Sequence, residues 1–188
     1  MALRATHIVF SEALISGGLL LTSQPIPVDL VSLLGIWIGV QLPDLDTGNT
    51  RMNRHLGRFG RWLGHRFIHR TWTHTAWAIA IMFGLATWLP CPSQFDSNVG
   101  NYIRWLYLAV ASGYFLHIIE DAFSYQGICW FYPFQRFNRS ASGHFYRKRP
   151  WHCFYYRTGG TEEKIIRWVA FVAMWFFLIE IFTENYGK

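Results

Sequence analysis

The stretch that decides the reading is Ile103-Arg104-Trp105-Leu106-Tyr107-Leu108-Ala109-Val110-Ala111-Ser112-Gly113-Tyr114-Phe115-Leu116-His117-Ile118-Ile119-Glu120-Asp121. It is a mostly apolar run of helical length that ends on a histidine and an aspartate four positions apart. That spacing puts His117 and Asp121 on one face of a helix. Either they share an ion, or the carboxylate orients the imidazole. Both readings place polar chemistry where an apolar segment meets a polar one.

Four more apolar blocks surround this one: Ile8 to Leu21, Val28 to Leu42, Ala76 to Leu89 and Ile165 to Phe182. A spanning helix needs roughly 20 mostly apolar residues, so the shorter blocks must be extended by their polar ends. The bland alternative is a set of core helices in a soluble protein. Five blocks in 188 residues, of which only 15% are charged, leave too little polar surface to cover them. The 10 Trp and 16 Phe suit aromatic belts at a membrane interface. Mean hydropathy is only +0.14 because arginines are gathered between the blocks. The first block carries Glu12 and lacks a small-x-small cleavage site, so it reads as a retained helix and not a signal peptide. Ser23 to Pro27 reads as a tight turn. The expected fold is all-α: one domain, a polytopic membrane bundle of about five helices. Residues 1–123 carry four helices and the site, 124–164 form a basic aromatic segment with a small surface hairpin, and 165–188 form the fifth helix and tail.

Charge sets the expected orientation. Of the 17 Lys and Arg, all but Arg104 and Lys188 fall at the N-terminus, between blocks two and three, or between block four and the first residues of block five, where Arg167 lies. With five crossings and a cytoplasmic N-terminus, these lie on the cytoplasmic side, as the positive-inside rule requires. The net charge of +6 is then a one-sided basic face suited to anionic lipid headgroups. Nucleic acid is the other partner such charge could serve. Lipid is preferred, because the basic aromatic segment is tethered to the bilayer at both ends.

The same topology gathers seven metal-ligand side chains on that side: His7, Asp44, Asp46, His69, His74, His117 and Asp121. Histidine and carboxylate are common ligands of zinc and similar divalent ions. His69 and His74 are five apart, which predicts His69 in a loop and His74 in the first helical turn, with Thr71 or Thr73 as the N-cap. Asp44 and Asp46 follow Pro43 and point differently, so one ligates and the other orients, bridges or activates water. A lone interfacial His is more often an anchor, and an Asp after Pro a turn residue. Seven together near membrane spans read as a site.

Thr6-His7, Leu42-Pro43-Asp44-Leu45-Asp46, His69-Arg70-Thr71-Trp72-Thr73-His74 and His117-Ile118-Ile119-Glu120-Asp121, followed by Gly127 and Pro133-Phe134, resemble the pattern of the YdjM-type membrane-bound metal-dependent hydrolases. These are also described as LexA-binding, inner-membrane-associated hydrolases. The resemblance covers roughly residues 1–135; Ser124 stands where the family often has Thr, and 137–161 matches nothing recognisable. It implies a prokaryotic inner-membrane protein and a hydrolase. The His-x-x-x-Asp element is also similar to that of zinc-dependent phospholipase C and P1-type nucleases, which have multi-zinc phosphodiesterase sites.

The chemistry that follows is metal-assisted hydrolysis with two or three divalent ions, zinc foremost, clamping an in-line displacement. Asp46 or Glu120 is the candidate general base. Arg70 is either a phosphate fork or an ordinary positive-inside arginine. The expected substrate is a membrane lipid phosphoester, since the site lies at headgroup depth. Glu12 and Glu180 are helix-packing groups, or Glu12 approaches the site above His7. Gly143 to Arg147 and His152 to Arg157 show alternation expected of the hairpin, and His144 and His152 are weaker metal candidates. Cys91, Cys129 and Cys153 are too scattered for a Cys-based zinc site. No phosphate loop, nucleophile elbow or His-Glu-x-x-His motif is present. Two other classes stay open: a non-enzymatic scaffold with a structural metal that recruits a protein partner, and a metal-ion transporter, whose ligands belong nearer the bilayer midplane.

Overall fold

The computed structural model describes residues 4–22, 24–47, 54–66, 70–90, 97–125, 127–134, 138–139, 145–146 and 156–186. Among them are six α-helices: α1 (Arg4–Thr22), α2 (Ile26–Gly39), α3 (Gly57–Arg66), α4 (Ala76–Trp88), α5 (Ser97–Phe123) and α6 (Thr161–Tyr186). Short 3-10 turns, Pro43–Thr47 and Trp72–His74, follow α2 and precede α4. Four segments are long and apolar enough to cross a membrane: Arg4–Thr22, Ile26–Thr47, Asn98–Phe123 and Thr161–Glu184. The third sequence block yields only the 13 residues of α4, about 20 Å of helix against a hydrocarbon core of about 30 Å. Its far end is capped by Arg104 of α5, which donates to the carbonyls of Ala86 and Thr87 at 3.0 and 2.8 Å. Those carbonyls are among the last four of the helix and lack internal partners. The basic helix α3 lies between blocks two and three, in a stretch the apolar pattern does not mark as helical.

The centre of the bundle is the α2–α5 pair, joined nearly backbone to backbone. A Cβ on Gly35 would come within 2.6 Å of Ala109 Cβ, and one on Gly113 within 2.6 Å of the Ile36 carbonyl. A Cβ on Gly39 would overlap the Val110 carbonyl. Small residues four apart let membrane helices approach this closely. Ile36, Val40 and Ala109 form the buried cluster at this seam, and Tyr114, Ile118, Ala122 and Ile128 form a second, nearer the site.

Direction along the bundle follows from three contacts. Thr6 Oγ1 donates to Glu163 Oε1 at 2.8 Å, and Gly17 approaches the Phe177 ring, so α1 and α6 run parallel. Arg4 at the start of α1 donates to Gln41 just past the end of α2, so α2 runs against α1. The starts of α1, α4 and α6 and the ends of α2 and α5 therefore meet at one end of the bundle. The outer face of α6, with Trp168, Val169, Val172, Trp175 and Phe176 exposed, is apolar surface that a bilayer covers.

Two local expectations change. α6 begins at Thr161, four residues before the apolar block, with Glu162 and Glu163 in its first turn, where acidic groups meet the positive end of the helix dipole. Asn138–Arg139 pairs with Phe145–Tyr146; most of the expected pairing of 143–147 with 152–157 lies outside the described residues. Tyr156 instead pairs with Ser124: Tyr125 N donates to Tyr156 O at 3.0 Å and Tyr156 N to Phe123 O at 3.2 Å. The backbone left open at the end of α5 takes up this segment and draws it back to the site.

Candidate metal centre

Four elements converge at the crowded end. α1 brings His7, Pro43–Thr47 brings Asp44 and Asp46, Trp72–His74 brings His74, and the last turns of α5 bring His117, Glu120 and Asp121. His7, Asp46, His74, His117 and Asp121 are each no more than 2% exposed. Ionisable groups this buried require mutual compensation or an ion.

Asp121 is the point of convergence. Its Oδ2 lies 3.4 Å from His74 Nε2 and 3.8 Å from His117 Nε2, and its Oδ1 lies 3.6 Å from His7 Nε2. Asp44 Oδ1 lies 3.7 Å from His117 Nε2. The His7 and His117 rings stack with centroids 4.0 Å apart. Two of the imidazoles face a carboxylate with their other nitrogen. Glu120 Oε2 lies 3.0 Å from His7 Nδ1, and Asp46 Oδ2 lies 3.6 Å from His74 Nδ1. Thr73 Oγ1 links that second pair, at 2.5 Å from Asp46 Oδ2 and 2.9 Å from His74 Nδ1. A carboxylate on Nδ1 fixes the tautomer that leaves Nε2 free to bind. Burial opposes the charged form of His74, but Asp121 and Asp46 outweigh it and push its pKa up to about 9, so an ion at Nε2 would have to displace a proton.

The spacings can be compared with what an ion needs. Separations of 3.4–3.8 Å between the Nε2 and carboxylate atoms exceed the usual N–H···O range of about 2.7–3.2 Å. Zinc–ligand distances of roughly 2.0–2.2 Å place tetrahedral donors about 3.3 Å apart. Among the described residues, His117 Nε2 and Asp121 Oδ2 make no hydrogen bond, although both are buried. Two triads have donor atoms within 4.8 Å of one another: His7, His117 and Asp121, and Asp44, His74 and His117. The donor set fits a divalent ion better than it fits a hydrogen-bonded cluster.

The profile of the YdjM inner membrane protein family matches residues 1–186. The chain belongs to that family. No curated protein and no solved structure matches it. The YdjM match extends past residue 135, where the recognisable motifs stop, and takes in the basic aromatic segment and α6. It makes the chain an inner-membrane protein, in keeping with its four long apolar helices.

Within this YdjM protein, six of the seven metal-ligand candidates come together: His7, Asp44, Asp46, His74, His117 and Asp121. His69, like His144 and His152, lies outside the described residues. Asp44 and Asp46 face different histidines: Asp44 approaches His117 Nε2, on the open side, and Asp46 stands behind His74. His74 precedes α4 in the 3-10 turn and is not in the first helical turn. The N-cap of α4 is Thr75, whose hydroxyl accepts from Ala78 N at 3.1 Å; Thr73 is committed to Asp46, and Thr71 makes no capping hydrogen bond. Ser11, and not Glu12, reaches the site from the next turn of α1, donating to Glu120 Oε1 at 3.3 Å.

Arg70 is not a solvent-facing arginine: both Nη atoms are engaged by the protein, while its Nε makes no hydrogen bond among the described residues. It is 4% exposed, Nη2 is 2.6 Å from Asp121 Oδ1, and Nη1 donates to Ser124 Oγ at 2.9 Å and to the Gly127 carbonyl at 3.1 Å. Gly127 holds φ 63, and Arg70 itself holds φ 62, a conformation that costs a non-glycine residue roughly 1–3 kcal/mol. Tyr114, whose hydroxyl donates to Thr73 O at 2.5 Å, and Tyr156, whose hydroxyl donates to Glu120 O at 3.2 Å, complete the shell. Nothing in the spacing of Tyr114 or Tyr156 marks them, since both contacts cross between elements.

Proposed function

We propose that this protein is a membrane-embedded metal-dependent hydrolase that cleaves a lipid phosphoester at the cytoplasmic face of the inner membrane. The observation that carries this reading is the convergence of three Nε2 atoms on the Asp121 carboxylate. His74, His117, Asp44 and Asp121 would hold one divalent ion, zinc foremost, and His7 with Asp121 the edge of a second. A bound ion supplies Lewis-acid stabilisation of charge on a phosphoryl group under attack.

The protein's own residues do the rest. Asp46 and Glu120 keep protons on the Nδ1 atoms of His74 and His7, and so hold the binding nitrogens toward the centre. Arg70 anchors Asp121 and thereby fixes the carboxylate around which the histidines are arranged. Asp44, 14% exposed at its side chain, is the most open of the acids and stands where a substrate oxygen would enter. The cytoplasmic assignment rests on the Lys and Arg distribution.

Donors at helix ends and not at the bilayer midplane weigh against a transporter. The test is metal content of purified protein together with release of phosphate or a phospho-headgroup from phospholipid and isoprenoid-phosphate vesicles, with and without chelator. Turnover that chelator stops and Asp121→Asn abolishes is the expected result. Stoichiometric metal with no turnover on any lipid phosphoester would overturn the hydrolase and leave a scaffold with a structural metal.

A further inference from the structure

Between α1 and α6 lies an open-sided cleft of about 770 Å³, with Leu14, Leu21, Ile165 and Val169 of its lining exposed to the outside, within the roughly 300–1,000 Å³ of ligand pockets. Its walls are apolar, among them Phe10, Leu14, Gly17 and Gly18 of α1 and Val169 and Phe177 of α6. We propose that this cavity seats one hydrocarbon chain of the lipid whose head reaches the His7–Asp121 centre. The chain assignment stands on the cavity, and the link to cleavage rests on the hydrolase reading.

Three observations identify the occupant. Both walls belong to helices long and apolar enough to cross the membrane, where a polar occupant would lose its hydrogen bonds to water. The hollow is open at Gly18, where α1 carries no side chain, and is bounded at Gly17 by the Phe177 ring. A Cβ on Gly18 would meet nothing within 4 Å, while Gly17 lets the Phe177 ring approach within 3.1 Å of its Cβ position. Length also agrees. The lining of α1 runs from Phe10 to Leu21, a rise of about 17 Å, close to half of a hydrocarbon core of about 30 Å. A chain lying there spans one leaflet.

The cavity is also oriented toward the site. The Thr6–Glu163 hydrogen bond closes α1 onto α6 at the site end. Phe10 follows His7 by less than one turn. On α6, the lining residues Ile165 and Ile166 lie between Lys164 and Arg167, two cations at the level where an anionic headgroup would sit. A lipid with its chain in the cavity would thus present its phosphoester beside the start of α1.

The probe is a phosphatidic acid carrying a diazirine in one long acyl chain, added to the full-length protein in detergent micelles, with crosslinks mapped by peptide mass spectrometry. Labelling of residues 10–21 and 165–177 should saturate and be competed by unlabelled long-chain phosphatidic acid but not by glycerol phosphate. Gly18→Phe, which fills the open space, should reduce it about tenfold, or about 1.4 kcal/mol of binding. Gly84→Phe, at an open glycine on α4, should leave it unchanged. Leu14→Trp is a second blocking variant should Gly18→Phe fail to fold. Labelling that does not saturate and ignores both blocking variants is ordinary boundary lipid and overturns the proposal, as do dimers crosslinked through this face. Saturable labelling without any turnover retains the chain site and removes the hydrolase; turnover without such labelling does the reverse.

Discussion

Arg70 and Asp121 form a buried ion pair, Nη2 to Oδ1 at 2.6 Å, and the same carboxylate is approached by three imidazoles. Asp121 thus belongs to two systems: Oδ1 meets the guanidinium and His7 Nε2, and Oδ2 meets the Nε2 atoms of His74 and His117. The pairing explains why a non-glycine residue is held in the left-handed region at this position. The Arg70 backbone N–H reaches Asp46 Oδ2 at 3.3 Å while its side chain reaches Asp121, so one residue ties the two acid-bearing elements together.

Arg70→Gln should lower thermal stability more in the presence of chelator than with metal. Removing one partner of a buried pair typically costs about 3–5 kcal/mol, and a bound divalent ion would compensate part of the stranded Asp121 charge. Melting curves with EDTA and with zinc give the comparison. Equal losses in both would mean that Asp121 is not a ligand.

Metal affinity should separate the acids into two ranks. Asp121→Asn and His117→Ala should each lower metal occupancy to a small fraction of wild type in protein that still inserts. Asp46→Asn and Glu120→Gln, which act behind His74 and His7, should weaken binding about 10–100-fold while leaving it saturable. Equilibrium dialysis against buffered zinc reads this order. If Asp46→Asn loses as much metal as Asp44→Asn, then Asp46 is itself a ligand.

Gly39→Leu should disrupt the bundle, because the Val110 carbonyl occupies the space a side chain needs. Overpacking of this kind typically costs about 1–3 kcal/mol, and a backbone obstacle cannot rotate aside. Since α2 leads into the turn that bears Asp44 and α5 carries His117, metal occupancy should fall with stability. Gly84→Leu, facing open space, is the matched control, and unchanged melting of Gly39→Leu would contradict the close α2–α5 approach.

Reporter fusions after Asn53, Asn98 and Gly143 should read cytoplasmic, periplasmic and cytoplasmic. The bundle fixes which helix ends lie together; the arginine distribution predicts that this end is the cytoplasmic one. A periplasmic signal after Asn53 would move the entire centre to the other face.

The apolar blocks announce the helices because a bilayer selects long runs without charge, and that signal is local. The same holds for the pairing of His117 with Asp121, which one helical turn enforces. The gathering of candidates at one end is also visible beforehand, since each lies where an apolar block stops. What the sequence alone leaves open is every relation that crosses from one element to another. Helix α3 is missed because Gly57–Arg66 is short and interrupted by arginines, with no apolar run of block length. Alternation likewise does not announce that Tyr156 pairs with the open backbone at Ser124, since that contact joins segments far apart in the chain. Asp44 and Asp46 are equivalent as letters; only the packing of Pro43–Thr47 between α5 and the 3-10 turn turns one toward His117 and the other behind His74. Arg70 likewise looks like one of many arginines until the fold places Asp121, Ser124 and the Gly127 carbonyl around it. Composition and period fix what a segment is; its partners are set by close approach, and here that approach is decided by Gly35, Gly39 and Gly113, where the absence of a side chain lets two helices meet.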